Sequence, residues 1–150
     1  MKNIFSKKVT EEVIARIEML TNTSQPNWGK MSVGKMLAHC CVTYEMAFTE
    51  KHAKPNGFTK LMLKLFVKKI VVSEKAYAKN GRTAPQFIIS DEREFETEKK
   101  RLIYFINKTQ ELGESAFDGK ESHSFGPLKS NEWNNMFYKH LNHHLTQFGV

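Results

Sequence analysis

The sequence predicts an all-α protein: a four-helix bundle with one or two short extra helices. Three observations predict it. Four long segments carry apolar residues at three- and four-residue intervals. No stretch alternates apolar and polar residues over a useful length, and "PQFIIS" (Pro85 to Ser90) is the only weak strand candidate. The helical segments are separated by runs rich in Gly, Pro, Asn and Ser. Each such helix has one apolar stripe to bury, and packing the four together covers all the stripes at once. The 150 residues have the length of a single domain, 1–150, with 40% hydrophobic and 26% charged residues, a composition that argues against disorder.

The first helix is predicted from about Thr10 to Leu20. Val13, Ile14, Ile17 and Leu20 form its stripe, Thr10 serves as N-cap, and Glu11 and Glu12 favour the first turn. Pro26 and Gly29 in "TNTSQPNWG" end the pattern. The second helix starts at Ser32 as N-cap and runs to about Thr49, with Val33, Met36, Leu37, Cys40, Tyr44, Ala47 and Phe48 on one broad face. A shorter helix is predicted over Thr59–Val72, with Lys60, Lys64 and Lys68 beside Leu61, Leu65, Phe66 and Ile70. "SEKAYAKNGRTAPQFIIS" reads as a long loop. The next main helix runs from Ser90 or Asp91 to Leu112–Gly113, its core side formed by Phe95, Leu102, Ile103, Phe105 and Ile106. "GESAFDGKESHSFGPLK" is a second loop, and the last helix follows Ser130 as N-cap and ends near Phe148.

Composition narrows the setting. Cys40 and Cys41 are adjacent and cannot form an ordinary disulfide, which suits a reducing compartment. The N-terminal segment has no unbroken apolar core of the signal-peptide kind, and "LMLKLFVKKIVV" is interrupted by three lysines, so no segment reaches the ~18 apolar residues of a membrane span. A cytoplasmic protein with no membrane partner is expected. Lys plus Arg number 23 against 16 Asp plus Glu, a net charge of +7 that permits an anionic partner without identifying one. The cluster Lys60, Lys64, Lys68 and Lys69 has no helix-turn-helix, zinc-finger or RNA-binding signature beside it, so it reads as solvation and nucleic acid is not expected.

The last helix holds three of the six histidines. At ~100° per residue, His144 lies about 20° to one side of Trp133 and His140 about 20° to the other. Both fall inside the apolar arc, whereas His143 sits about 80° out, on its flank. Two imidazoles at i and i+4 can aim nitrogens at one point, and a metal satisfies a nitrogen of each. The alternative is two core histidines bonded to side chains or water. The residue after His140 is Leu141, so the Glu of the zinc-protease motif is missing. A third ligand would come from His39, His52 or His123. His39 sits on the edge of the second helix's apolar face, near Met36, Thr43 and Met46. His52 lies in a Lys-rich turn and His123 in the second loop, and both are expected to be exposed. Cys40 reads as a buried apolar thiol.

"NWGKMSVGKMLAHC" (Asn27 to Cys40) and "FGPLKSNEWNNMFYKHLNHHLTQFGV" (Phe125 to Val150) together resemble the DinB/YfiT-like superfamily, in a branch of bacterial proteins of unknown function. The pattern is a Trp and a Ser before the second helix, a His seven residues after that Ser, and H-x-x-x-H in the last helix. Here these are Trp28, Ser32, His39, His140 and His144. "HSFGPL" resembles the loop before the last helix in that branch, with Ser124 where a proline is expected. The resemblance implies a bundle in which His39, His140 and His144 hold one divalent metal, nickel or zinc. It implies a metal-dependent enzyme, a thiol transferase or a hydrolase, acting on a small molecule with a low-molecular-weight thiol or water, and it implies a homodimer. Thr43, Tyr44, Glu45 and Tyr138 are candidate supporting groups, although Tyr138 falls about 140° from Trp133 and should face away. Two other functions stay open: a noncatalytic bundle tied together by its metal, and a basic protein binding nucleic acid or an anionic surface.

Overall fold

The computed structural model describes residues 1–150. Its helices are α1 (Lys7–Glu18), α2 (Val33–Phe48), α3 (Gly57–Phe66), α4 (Lys68–Val72), α5 (Phe95–Leu112) and α6 (Ser130–Gln147). Short 3-10 turns occupy Pro85–Phe87 and Glu114–Phe117. The four long helices form the bundle: α1 and α2 each pack against both α5 and α6. Tyr44 stacks on Phe137 with ring centroids 4.7 Å apart, and Phe117 meets the edges of Trp133 and Phe137. Fully buried Met36, Leu37, Leu102, Ile106 and Leu141 close the core around them. The predicted fold class therefore holds, with α3 and α4 as the extra helices.

Helix ends differ from the sequence reading where tertiary contacts compete. The first helix starts at Lys7, with Ser6 in the N-cap position, and Thr10 is not a cap. Its hydroxyl donates to the Ile4 carbonyl at 2.8 Å. The buried side chains of Ile4 and Phe5, and the Ile4 N–H bonded to Asn134 Oδ1 at 2.7 Å, fold the N-terminal segment over the bundle and set where α1 begins. The α5 helix begins at Phe95, not at Ser90 or Asp91. Glu94 caps it, its carboxylate accepting the N–H groups of Glu96 at 3.0 Å and Thr97 at 2.6 Å, which satisfies two otherwise free donors. In α6 Ser130 is the first helical residue, not the cap: the Lys129 N–H is taken by Glu132 at 2.9 Å and the Ser130 N–H by Asp118 at 3.0 Å.

The segment predicted as one helix over Thr59–Val72 is two, broken at Val67. The weak strand candidate is not a strand: Pro85 fixes a helical φ and opens the 3-10 turn. The sheet that does form is a two-stranded antiparallel pair, β1 (Glu121–Ser122) with β2 (Gly126–Pro127). Ser122 Oγ holds it, donating to the Gly126 carbonyl at 2.8 Å and accepting the Phe125 N–H at 2.9 Å. No helix is long and apolar enough to cross a membrane.

Candidate metal centre

The α2 and α6 helices lie side by side, and their facing sides carry His39, His140 and His144. One ligand nitrogen from each ring lies within 4.8 Å of the others. His39 Nε2 is 2.9 Å from His140 Nε2, and the His39–His144 ring centroids are 4.6 Å apart. His39 and His144 are buried, and His140 is partly so.

The second nitrogen of each ring is engaged. His39 Nδ1 donates to the Phe87 carbonyl at 2.8 Å. A carbonyl only accepts, so the proton of a neutral His39 sits on Nδ1 and its Nε2 offers a lone pair. His144 Nδ1 donates to Gln147 Oε1 at 2.8 Å, leaving its own Nε2 likewise free. His140 Nδ1 meets Thr43 Oγ1 at 2.9 Å, a hydroxyl that can accept or donate. Burial lowers the pKa of all three: His140 well below the usual imidazole range, His144 to about 3, and His39 in spite of its bond to Phe87. The neighbouring imidazoles push His140 and His144 the same way. These are neutral rings with a nitrogen of each crowded around one point.

That donor set fits a divalent ion. Tetrahedral zinc–imidazole bonds of ~2.0–2.1 Å place ligand nitrogens about 3.3 Å apart. That spacing lies between the 2.9 Å of the His39–His140 pair and the 4.8 Å that bounds the set, so small side-chain rotations would accommodate the ion. Three neutral nitrogens with ring orientations fixed by outer partners are the usual arrangement around such ions. The rings form a cluster capable of coordinating a metal.

A family model described as "Protein of unknown function (DUF1569)" matches residues 5–149, nearly the whole chain. The chain belongs to the DUF1569 family. At the family level DUF1569 is related to the DinB-like superfamily. No curated protein and no solved structure matches the chain.

Around the cluster of this DUF1569 protein, Trp28 arrives through its backbone. The Gln147 amide donates to the Trp28 carbonyl at 2.7 Å while its oxygen holds His144. A Cβ at Gly29 would sit 2.8 Å from Gln147 Nε2, and the φ of Gly29 is +82°, so only glycine passes here without strain. His143 is not one of the three converging rings, but it meets the edge of His144 with centroids 5.0 Å apart and sits half-buried between the rings of Trp28 and Tyr77. Tyr77 also meets His140 edge-on.

Of the candidate supporting groups, Thr43 touches the cluster and the others do not. Tyr44 lies in the aromatic core. Glu45 belongs to a separate charge cluster with Lys51, His52 and Arg101. Tyr138 is buried elsewhere in the bundle, away from the cluster as the wheel places it. His52 and His123 are less exposed than the sequence suggests. His52 pairs with Glu45 at 2.7 Å, and buried His123 meets Ser124 Oγ at 2.9 Å and the His52 carbonyl at 3.3 Å, so loop packing accounts for it. Burial pushes the Cys40 thiol far up and the Cys41 thiol to about 12, so neither offers a thiolate. Sequence reasoning missed Gln147, Tyr77 and the Phe87 carbonyl. Gln147 had a signal, since it lies three residues after His144 on the same face.

Proposed function

We propose that this DUF1569 protein holds one divalent ion, nickel or zinc, on His39, His140 and His144, and that it is a metal-dependent enzyme acting on a small molecule. The observation that supports this best is the 2.9 Å approach of His39 Nε2 to His140 Nε2, with the outer nitrogen of His39 committed to the Phe87 carbonyl. Without an ion, His140 Nε2–H can donate to His39 Nε2 while Thr43 donates to His140 Nδ1; a cation in the gap would replace that single bond and engage a lone pair from each of the three rings. When bound, the ion supplies Lewis-acid chemistry, with at least one position left free by three protein ligands, where a low-molecular-weight thiol or water is activated. The chain's own residues orient and shield. Phe87, Thr43 and Gln147 fix the three rings, and Tyr77, Trp28 and His143 wall one side. A thiol transferase or a hydrolase fits this arrangement.

The test is metal content. Wild-type protein reconstituted at neutral pH should carry near one equivalent of nickel or zinc, and His140→Ala should lose it. A wild-type sample that takes up no metal sinks the reading. A cobalt-loaded sample separates catalysis from a tie between helices. A visible spectrum that shifts with small thiols reads an open position, and a spectrum indifferent to every added ligand favours the noncatalytic role.

A further inference from the structure

The α3–α4 arm is built with its apolar side outward. No residue of either helix is buried. Phe58 is 73% exposed, Leu61 50%, Leu65 61%, Phe66 68% and Ile70 61%. With Leu61 set at zero, Leu65 lies about 40° round the α3 helix, Phe58 about 60°, Met62 about 100° and Phe66 about 140°. These form one continuous stripe. Leu63 and Val67, at about 200° and 240°, supply the inward contacts, and Val71 of α4 continues them. A surface helix of a free-standing bundle has the opposite arrangement, with its wide apolar stripe on the core.

Charge accompanies the stripe. Between Lys51 and Ser73 the chain has six lysines (Lys51, Lys54, Lys60, Lys64, Lys68 and Lys69) and no Asp or Glu. Lys60 is tied down to Glu121 and Lys68 to Glu132 on the bundle side. Lys64 and Lys69 are exposed and have no acidic partner. A second copy seated here would bring these uncompensated lysines of two +7 chains together. Nucleic acid would meet the lysines but leave Phe58, Leu65 and Phe66 in water. A surface that is apolar below and anionic above satisfies both halves of the arm.

We propose that the α3–α4 arm docks on an anionic phospholipid surface, with Leu61, Leu65, Phe58 and Phe66 in the boundary between headgroups and acyl chains and Lys64 and Lys69 at the level of the phosphates. A basic amphipathic helix lying in the interface is a different object from a span. The absence of a membrane-crossing helix is thus compatible with docking, which departs from the expectation of no membrane partner.

The experiment is co-sedimentation of the full chain with vesicles of phosphatidylcholine alone and with phosphatidylglycerol added. Binding is expected to the mixed vesicles only, and to weaken with salt. Each lysine near such a surface contributes about fivefold, so Lys64→Gln with Lys69→Gln should bind roughly 30-fold more weakly. Leu65→Asp should abolish binding while leaving the circular dichroism unchanged, since the side chain touches no core. Failure to bind the mixed vesicles overturns the proposal, as does binding that survives Leu65→Asp. A dimer that Leu65→Asp splits would assign the face to a second copy. Retention on DNA that is indifferent to Leu65 would assign it to nucleic acid. Either result also overturns docking on lipid.

Discussion

Thr43 sits one helical turn after His39 and reaches across to His140 Nδ1, so one residue of α2 orients a ring on α6. Replacing it with valine keeps the shape and removes the hydroxyl. Outer-shell hydrogen bonds of this kind are worth ~10–100-fold in metal affinity. Thr43→Val is therefore expected to weaken divalent-ion binding by about that factor in a chelator competition, with little change in helicity. At this scale the sequence was readable for side chains on helices. The i, i+4 spacing nominates His140 and His144, the edge position leaves His39 one of three candidates for the third ligand, and the resemblance to the DinB/YfiT-like pattern singles it out. The carbonyl of Phe87 was not readable, because a backbone acceptor in a loop leaves no mark in residue type. His123 was placed outside for a similar reason. A polar loop that folds back on the His52 carbonyl looks, in one dimension, like any exposed loop.

The elements themselves were legible because long periodic segments average over local conflicts, while their ends depend on single competing bonds. Phe95 rather than Ser90 opens α5 because Glu94 takes two backbone donors. The break at Val67 carries no Gly or Pro signal, and the uninterrupted apolar pattern hid it. How the elements approach one another was equally hidden, and Gly34 illustrates it. A Cβ there would lie 2.5 Å from the backbone oxygen of Arg93, where the segment before α5 crosses the first turn of α2. Ordinary helix propensity predicts that Gly→Ala stabilises by up to ~1 kcal/mol. Here the obstacle is backbone and cannot rotate away, so Gly34→Ala is expected to destabilise by about 1–3 kcal/mol in urea unfolding. A gain in stability would mean that the Arg93 segment moves freely.

Across the molecule, a second polar centre fastens α2 to α5. Arg101 bridges Glu45 at 3.2 Å and Glu98 at 2.7 Å, and Lys51 and His52 bring the following turn onto Glu45. Burial pushes the Glu45 carboxyl up, but the bonds from Lys51 and His52 and the Arg101 charge outweigh it and leave its pKa below the ordinary glutamate value. On acidification the unfolded chain therefore takes up the proton first. The stabilisation is complete above the unfolded value and is lost as pH falls from the ordinary carboxylate range through the lower folded value. Melting temperature should fall with pH in that window. Glu45→Gln should lower it at neutral pH and flatten the slope. A slope unchanged by Glu45→Gln would move the acid sensitivity to another carboxylate. The bundle architecture was foreseeable from stripes and breaks; this centre was not, since Glu98 and Arg101 read as ordinary solvated charges, and Glu45 as a supporting group of the histidines, until α2 and α5 are set side by side.

His39 and His140 are 101 residues apart in the chain yet 2.9 Å apart in space. An ion gripping both would cinch that whole stretch into a ring, and closing so long a loop removes much of the freedom of the unfolded chain. Most of the bundle lies within the ring, α3, α4 and α5 included. Stripping the ion would then do more than empty a pocket: it would unfasten the clasp that keeps the first and last thirds of the protein together.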